Sequence, residues 1–408
     1  MGTTVVGFAL LLLGAVCGGS FGLPSKFVRK GTPWETLWGP FFFFVTILIP
    51  TCVFPFIADG LFATCAEAGT GGILMPVLFG FLWGLGSMTL GISFGLIGLS
   101  LAYALNYGAQ IAVGGMGPFI IHHSDQLTTA HGFTFMAGVA VCILGVIVCG
   151  RAATLRSKSQ AGDGDSQTIF TGGKLIKDLL AAVVSIFACA FGLIVRPRTA
   201  TLERKSQTRE GGDQTVLAGD KLMKGLIVAI LSGVLCACYG IAVSFGGDVT
   251  NISVGQYGNP GWRAAFVLAA LVLWGGSLSA CGYCVYKFCV NKTWSTLAQP
   301  GIGKILFIAL IMACLHDGAI LFFGVGVPKL GAQTFGAAIA YPVFMSFAII
   351  VGNVNGFLTK EWKGASKQSI YWIITGIIIL IVGVSVFAKG SAMKGQYDES
   401  HPVSTEGS

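Results

Sequence analysis

The feature that most constrains this chain is the recurrence of apolar runs about 20 residues long, separated by short polar stretches. A run of that length suits a helix crossing ~30 Å of hydrocarbon. In lipid every backbone N–H and C=O must find its partner inside the protein. Barrel strands would be shorter and would alternate in polarity, so these runs predict helices. Only 10% of the residues are charged and 54% are hydrophobic, against about a quarter charged in a soluble domain. The 60 glycines, many inside the runs, would weaken helices in water. In lipid they let helix backbones approach closely.

Ten spans follow from the pattern, at 4–23, 38–58, 72–92, 95–119, 132–150, 225–245, 264–287, 304–327, 332–358 and 370–388. The first run has no positive residues before it, and so reads as a retained span rather than a signal peptide. The expected fold is all-α and integral to the membrane: ten transmembrane helices as two inverted five-helix repeats, plus one extra apolar segment in the central linker. The expected divisions are a first repeat over 1–150, a central cytoplasmic linker over 151–224 holding the apolar segment 179–195, a second repeat over 225–390, and a disordered tail over 391–408.

Charge sets the expected orientation. Lys26, Arg29 and Lys30 follow the first span, Arg151, Arg156 and Lys158 the fifth, Lys287 and Lys292 the seventh, and Lys360, Lys363 and Lys367 the ninth. The loops after the second and fourth spans carry Asp59, Glu67 and Asp125 but no Lys or Arg. All four basic loops share one side only if segment 179–195 makes no net crossing, and cytoplasmic loops carry the excess of Lys and Arg. Segment 179–195 is flanked by Lys174 and Lys177 before it and by Arg196 and Arg198 after it.

Weak internal symmetry agrees. Gly138, Gly145 and Arg151 recur at one offset as Gly376, Gly383 and Lys389; Gly14 and Cys17 match Gly233 and Cys236; Ile97-Gly98 matches Leu330-Gly331. Halves with five crossings each are inverted relative to one another. Inverted repeats place a transporter's binding site at their interface near the bilayer midplane.

No catalytic constellation is present. No Gly-rich phosphate loop ends in Lys-Ser or Lys-Thr, so ATP-driven transport is not expected, and no cofactor or metal motif appears. The net charge of +8 sits in loops and does not point to nucleic acid. The cysteines lie mostly inside apolar runs, where Cys acts as a small hydrophobe. His122 and His123 read as a solvated external pair.

The informative span is the eighth, Ala313-Cys314-Leu315-His316-Asp317-Gly318-Ala319, with two ionisable residues at mid-helix. A charge there costs ~2.5–3.5 kcal/mol on insertion scales and marks a proton or ion path. Asp317, with His316 beside it, is the proton-coupling candidate, the alternative being a carboxyl that only holds the bundle together. Neutral hydrogen-bonding groups beside aromatic rings suit a polyhydroxylated solute. These are Trp83 in the third span, Asn106, Tyr107 and Gln110 in the fourth, and Gln333 and Tyr341 in the ninth.

Several stretches carry a resemblance. They are Trp34-Glu35-Thr36-Leu37-Trp38, Phe79 to Gly86 in the third span, Leu96-Ile97-Gly98-Leu99-Ser100, Gly117-Pro118, Lys224-Gly225-Leu226, Gly331-Ala332-Gln333, Met345-Ser346-Phe347 and Lys360-Glu361-Trp362. In order and spacing the chain resembles the L-rhamnose–proton symporter family, a ten-span branch of the drug/metabolite transporter superfamily. The resemblance covers nearly everything but the central linker. It implies uptake of L-rhamnose or a related deoxy-hexose with protons across the cell (inner) membrane. The chain departs from the family in its longer linker and in the His316-Asp317 pair, where aromatic residues are expected. Na⁺ as coupling ion, export or exchange of another metabolite, and a solute-binding membrane sensor stay open, as does the oligomeric state.

Overall fold

The computed structural model describes residues 2–122, 126, 128–161, 214–330 and 333–400. Among these the secondary structure is helical throughout. The helices are α1 (Gly2–Ser20), α2 (Trp34–Phe43), α3 (Leu61–Ile97), α4 (Leu99–His122), α5 (Ala130–Ala161) and α6 (Gln214–Cys236). They continue with α7 (Cys238–Ser244), α8 (Gly247–Tyr257), α9 (Gly261–Asn291), α10 (Ile302–Gly326), α11 (Gln333–Leu358) and α12 (Lys367–Ser400). Among the described residues, eight stretches are long and apolar enough to cross a membrane: Val5–Phe27, Trp34–Phe56, Leu61–Ile97, Ala130–Gln160, Leu222–Ser244, Gly261–Asn291, Ile302–Leu330 and Lys367–Lys394. The expected fourth and ninth spans are helices of 24 and 26 residues, α4 and α11. They are not among the eight. Segment 179–195 lies outside the described residues.

Helix boundaries differ from the hydropathy pattern where local chemistry intervenes. α3 begins at Leu61, in what reads as a loop, and breaks at Gly69, whose φ of 59° only glycine adopts at ease. α2 passes through a π turn, Phe44–Leu48, before a last α turn at Ile49–Cys52. Such bulges relieve strain where the i→i−4 ladder is interrupted, here just ahead of Pro50. α6 and α7 are one span bent at Ala237. α12 runs on to Ser400, past Ser391, where a disordered tail is expected. Its extension rests on α5, with Tyr397 5.1 Å from the His131 ring.

Small residues set the closest helix pairs. α5 and α12 run antiparallel with their glycines interleaved. A Cβ at Gly138 would stand 2.8 Å from the Phe387 backbone and one at Gly383 2.8 Å from the Cys142 nitrogen. A Cβ at Gly145 would stand 2.7 Å from Leu380 and one at Gly376 2.6 Å from Cys149 Sγ. α3 and α9 meet in the same way, through Gly80 and Gly84 against Val272, Gly276 and Ser279. Elsewhere α3 packs on α6 and α9, and α10 packs on α1 and α2. α1 packs on α11 and α6 on α4; α4 packs on α5 and α11 on α12; α4 and α11 pair directly, as do α2 and α9.

Polar bonds gather the loops at two ends. At one end Lys26 meets Glu361, Thr36 meets Thr296, Glu35 accepts from Asn291 and Thr293, and Arg156 donates to the Ile97 carbonyl. Gly225 also packs on Ile97 there. At the other end Asn259 and Arg263 meet Asp59, and Tyr257 donates to Glu67. All four basic loops therefore lie at the first end.

Candidate functional site

A cavity of about 390 Å³ opens inside the bundle, walled by α1, α3, α4, α6, α7, α10, α11 and α12. Trp83, Asn106, Tyr107, Gln110 and His316 all line it. Three different helices thus bring five of the sequence-predicted residues to one space. Asp317 is absent from the wall. It is 5% exposed and sits behind His316, whose Nδ1 lies 2.8 Å from its Oδ1. The 100° step between adjacent helix positions separates them: His316 faces the cavity while Asp317 points into packing. The side chains of Gln333 and Tyr341 lie outside those described, although their helix, α11, contributes Phe344 and Met345 to the wall.

Trp83, His316, Tyr107 and Asn106 are held from behind. Trp83 lies against Gly276, where a Cβ would stand 2.8 Å from its ring, so the close α3–α9 contact fixes the indole. Its ring is 5.8 Å from His316 and 6.2 Å from Tyr239. Phe21 meets His316 edge-on at 5.3 Å. Tyr107 donates from its hydroxyl to the Gly18 carbonyl at 2.8 Å, tying α4 to α1. The amide of Asn106 donates to Ser232 Oγ on α6. Its carbonyl oxygen is buried with no protein partner among the described residues, as is Asp317 Oδ2. A buried acceptor left unpaired costs about 1–3 kcal/mol, so both atoms favour an incoming donor.

Sequence reasoning missed the aromatic half of the wall: Phe21, Tyr239, Phe323 and Phe344. Phenylalanines inside an apolar run carry no contrast with their surroundings. Tyr239 did offer a signal, being a hydroxyl-bearing ring inside a span. Among the described residues no Lys, Arg, Asp or Glu lines the cavity. Among the described residues no cluster of His, Cys, Asp and Glu could hold a metal ion. A second cavity, about 530 Å³, lies among the loops of the basic end and is lined by Arg29, Lys30 and Lys304.

With that geometry in place, comparison with known proteins is specific. The family profile described as L-rhamnose-proton symport protein matches residues 1–201 and 182–393. The chain belongs to this family. L-rhamnose-proton symporters from Escherichia coli O1:K1, Shigella boydii serotype 18 and Citrobacter koseri are each 22% identical over 388 residues, covering 93% of this chain and 96% of theirs. These relatives are named as transporters, not enzymes. No solved structure matches the chain. The conspicuous local feature of this member of the symport family is its paired His316 and Asp317, edged by Phe21, Phe41 and Trp83.

Proposed function

We propose that the protein takes up L-rhamnose or a related deoxy-hexose together with protons, through the central cavity, across the cell membrane of its host. The observation that carries this reading is the cavity wall. Its volume falls in the ~300–1,000 Å³ range of small-molecule sites. Aromatic faces at Phe21, Trp83 and Tyr239 stand beside the neutral groups of Asn106, Tyr107 and Gln110. A deoxy-hexose presents apolar C–H faces and hydroxyl edges, which these rings and neutral groups match. Gln333 and Tyr341 complete the proposed site from α11.

Ten spans in two inverted halves frame the site. Exchange α1 with α6, α2 with α9, α3 with α10, α4 with α11 and α5 with α12. The pairs α3–α9, α3–α6, α1–α11 and α4–α5 then become α10–α2, α10–α1, α6–α4 and α11–α12, all of which are packed. The same exchange turns the Gly138–Gly383 contact into Gly376–Gly145. This correspondence supports the repeat reading, with the cavity between the two halves. On the positive-inside rule the basic end faces the cytoplasm.

Coupling is assigned to Asp317, reached from the cavity through His316. The test is counterflow and gradient-driven uptake in proteoliposomes with a panel of hexoses. L-rhamnose or another 6-deoxy-hexose should exchange best, and an inward proton gradient should drive accumulation. Exchange of none of these sugars would remove the substrate reading, and accumulation that follows Na⁺ alone would remove the proton.

A further inference from the structure

A polar cluster centred on Glu361, a residue outside the cavity, lies at the basic end of the bundle. Its carboxylate is 9% exposed and takes three donors. Oε1 accepts from the Leu99 N–H at 2.7 Å and from Lys26 Nζ at 2.9 Å; Oε2 accepts from the Ser100 N–H at 3.1 Å. Leu99 and Ser100 open α4, so Glu361 caps a helix of the first half from the loop between α11 and α12. Lys26 adds the loop between α1 and α2. A carboxylate at a helix N-terminus is favourable, but helices are ordinarily capped by a neighbouring Ser, Thr, Asp or Asn. Here the cap position is Gly98, with φ 83°, where a Cβ would stand 2.6 Å from Glu361 Oε2. The local cap is absent and the distant one occupies its space.

Further bonds cross between the halves at the same level. Trp362 Nε1 donates to Ser100 Oγ at 3.1 Å, and Ser100 bonds Asn353. Asn355 donates to the Gly19 carbonyl and to Ser20 Oγ, both at 3.0 Å. Between this cluster and the cavity lies an aromatic layer. Phe21, which lines the cavity, is 6.0 Å from Phe94 and 5.8 Å from Tyr103, and Tyr103 accepts from the Gly22 N–H at 2.9 Å.

We propose that Glu361 and Lys26 form a latch that holds the cytoplasmic end of the path closed, and that inward release requires this latch to break. These bonds tie the start of α4 and the α1–α2 loop to the α11–α12 loop, across halves that rock against one another in inverted-repeat transporters. The inference rests on the cytoplasmic orientation of the basic end. It does not depend on which sugar is carried.

The test uses native cysteines and no solute. Cys236 lines the cavity, while Cys142 and Cys149 are fully buried between α5 and α12. A charged, membrane-impermeant methanethiosulfonate is applied to each face of sealed vesicles of either orientation. Modification at each cysteine is then read by peptide mass spectrometry. Glu361→Gln keeps the shape and removes the charge; Lys26→Met keeps the stem. Each should raise the rate at Cys236 from the cytoplasmic face roughly tenfold, the scale set by losing a hydrogen bond to a charged group. The double variant should add little to either single one. Cys142 and Cys149 should stay protected. An unchanged rate at Cys236, a rise confined to the outer face, or an equal rise at Cys142 and Cys149 would each overturn the latch, the last by showing a loosened bundle.

Discussion

At the residue scale, the polar side chains inside apolar spans were the legible part of the site. Asn106, Tyr107, Gln110, Trp83 and His316 stand out because lipid-spanning sequence has no cheap use for them, and all five meet at one cavity. Replacing Asn106 or Gln110 with Ala should raise the KM for sugar about fivefold, as loss of a hydrogen bond of ~1 kcal/mol does. Initial-rate uptake at matched expression measures this, and unchanged KM in both variants would move the site. Asp317 makes a separate case. Its carboxyl is bonded to His316 and otherwise sits in packing. Asp317→Asn preserves the shape and abolishes titration. Uptake against a gradient should vanish while sugar exchange, which needs no net proton movement, persists. The stake is large: one inward charge at 100 mV is worth ~2.3 kcal/mol, roughly fiftyfold accumulation of a neutral solute. Proton-driven accumulation that survives in Asp317→Asn would free this residue of the coupling role. Phe21, Phe323 and Phe344 were not legible, because rings in an apolar run show which face they take only once neighbouring helices are in place.

At the element scale, hydropathy located the long apolar helices among the described residues, misjudged their ends and passed over α8. The transfer free energy of a side chain decides which residues enter lipid, but helix ends answer to caps, breaks and neighbours. α12 continues to Ser400 because α5 offers it a partner, and α3 reaches back to Leu61 because Gly69 absorbs the break. The recurrence of Gly138, Gly145, Gly376 and Gly383 was legible as a spacing, though not as a contact between the helices that carry it. Gly145→Val would press into Leu380, and overpacking of this kind costs about 1–3 kcal/mol. Thermal unfolding in detergent should show a lowered midpoint for Gly145→Val. Gly282→Val, placed where a Cβ meets nothing within 4 Å, should leave the midpoint unchanged. Equal midpoints in the two variants would deny the α5–α12 seam its structural weight.

At the scale of the whole molecule, loop charge predicted that the basic segments share one side, and the bonds between loops gather them at one end. Glu361 was the exception hidden in that pattern: an acidic residue in a basic loop looks like noise until its partners on α4 and at Lys26 are seen. Cysteines placed at Gln160 and Glu210 should both be labelled from the cytoplasmic face; opposite sides would undo the inverted-repeat reading. Arg156, near the start of the central linker, and Gly225, just behind it, both rest on Ile97. The two described stretches that flank residues 162–213 therefore approach one corner of the bundle. For imaging a protein of this size, that corner is a natural splice point: a rigid soluble domain inserted there would be tethered on both sides to one spot on the bundle, giving particle alignment a landmark outside the detergent belt.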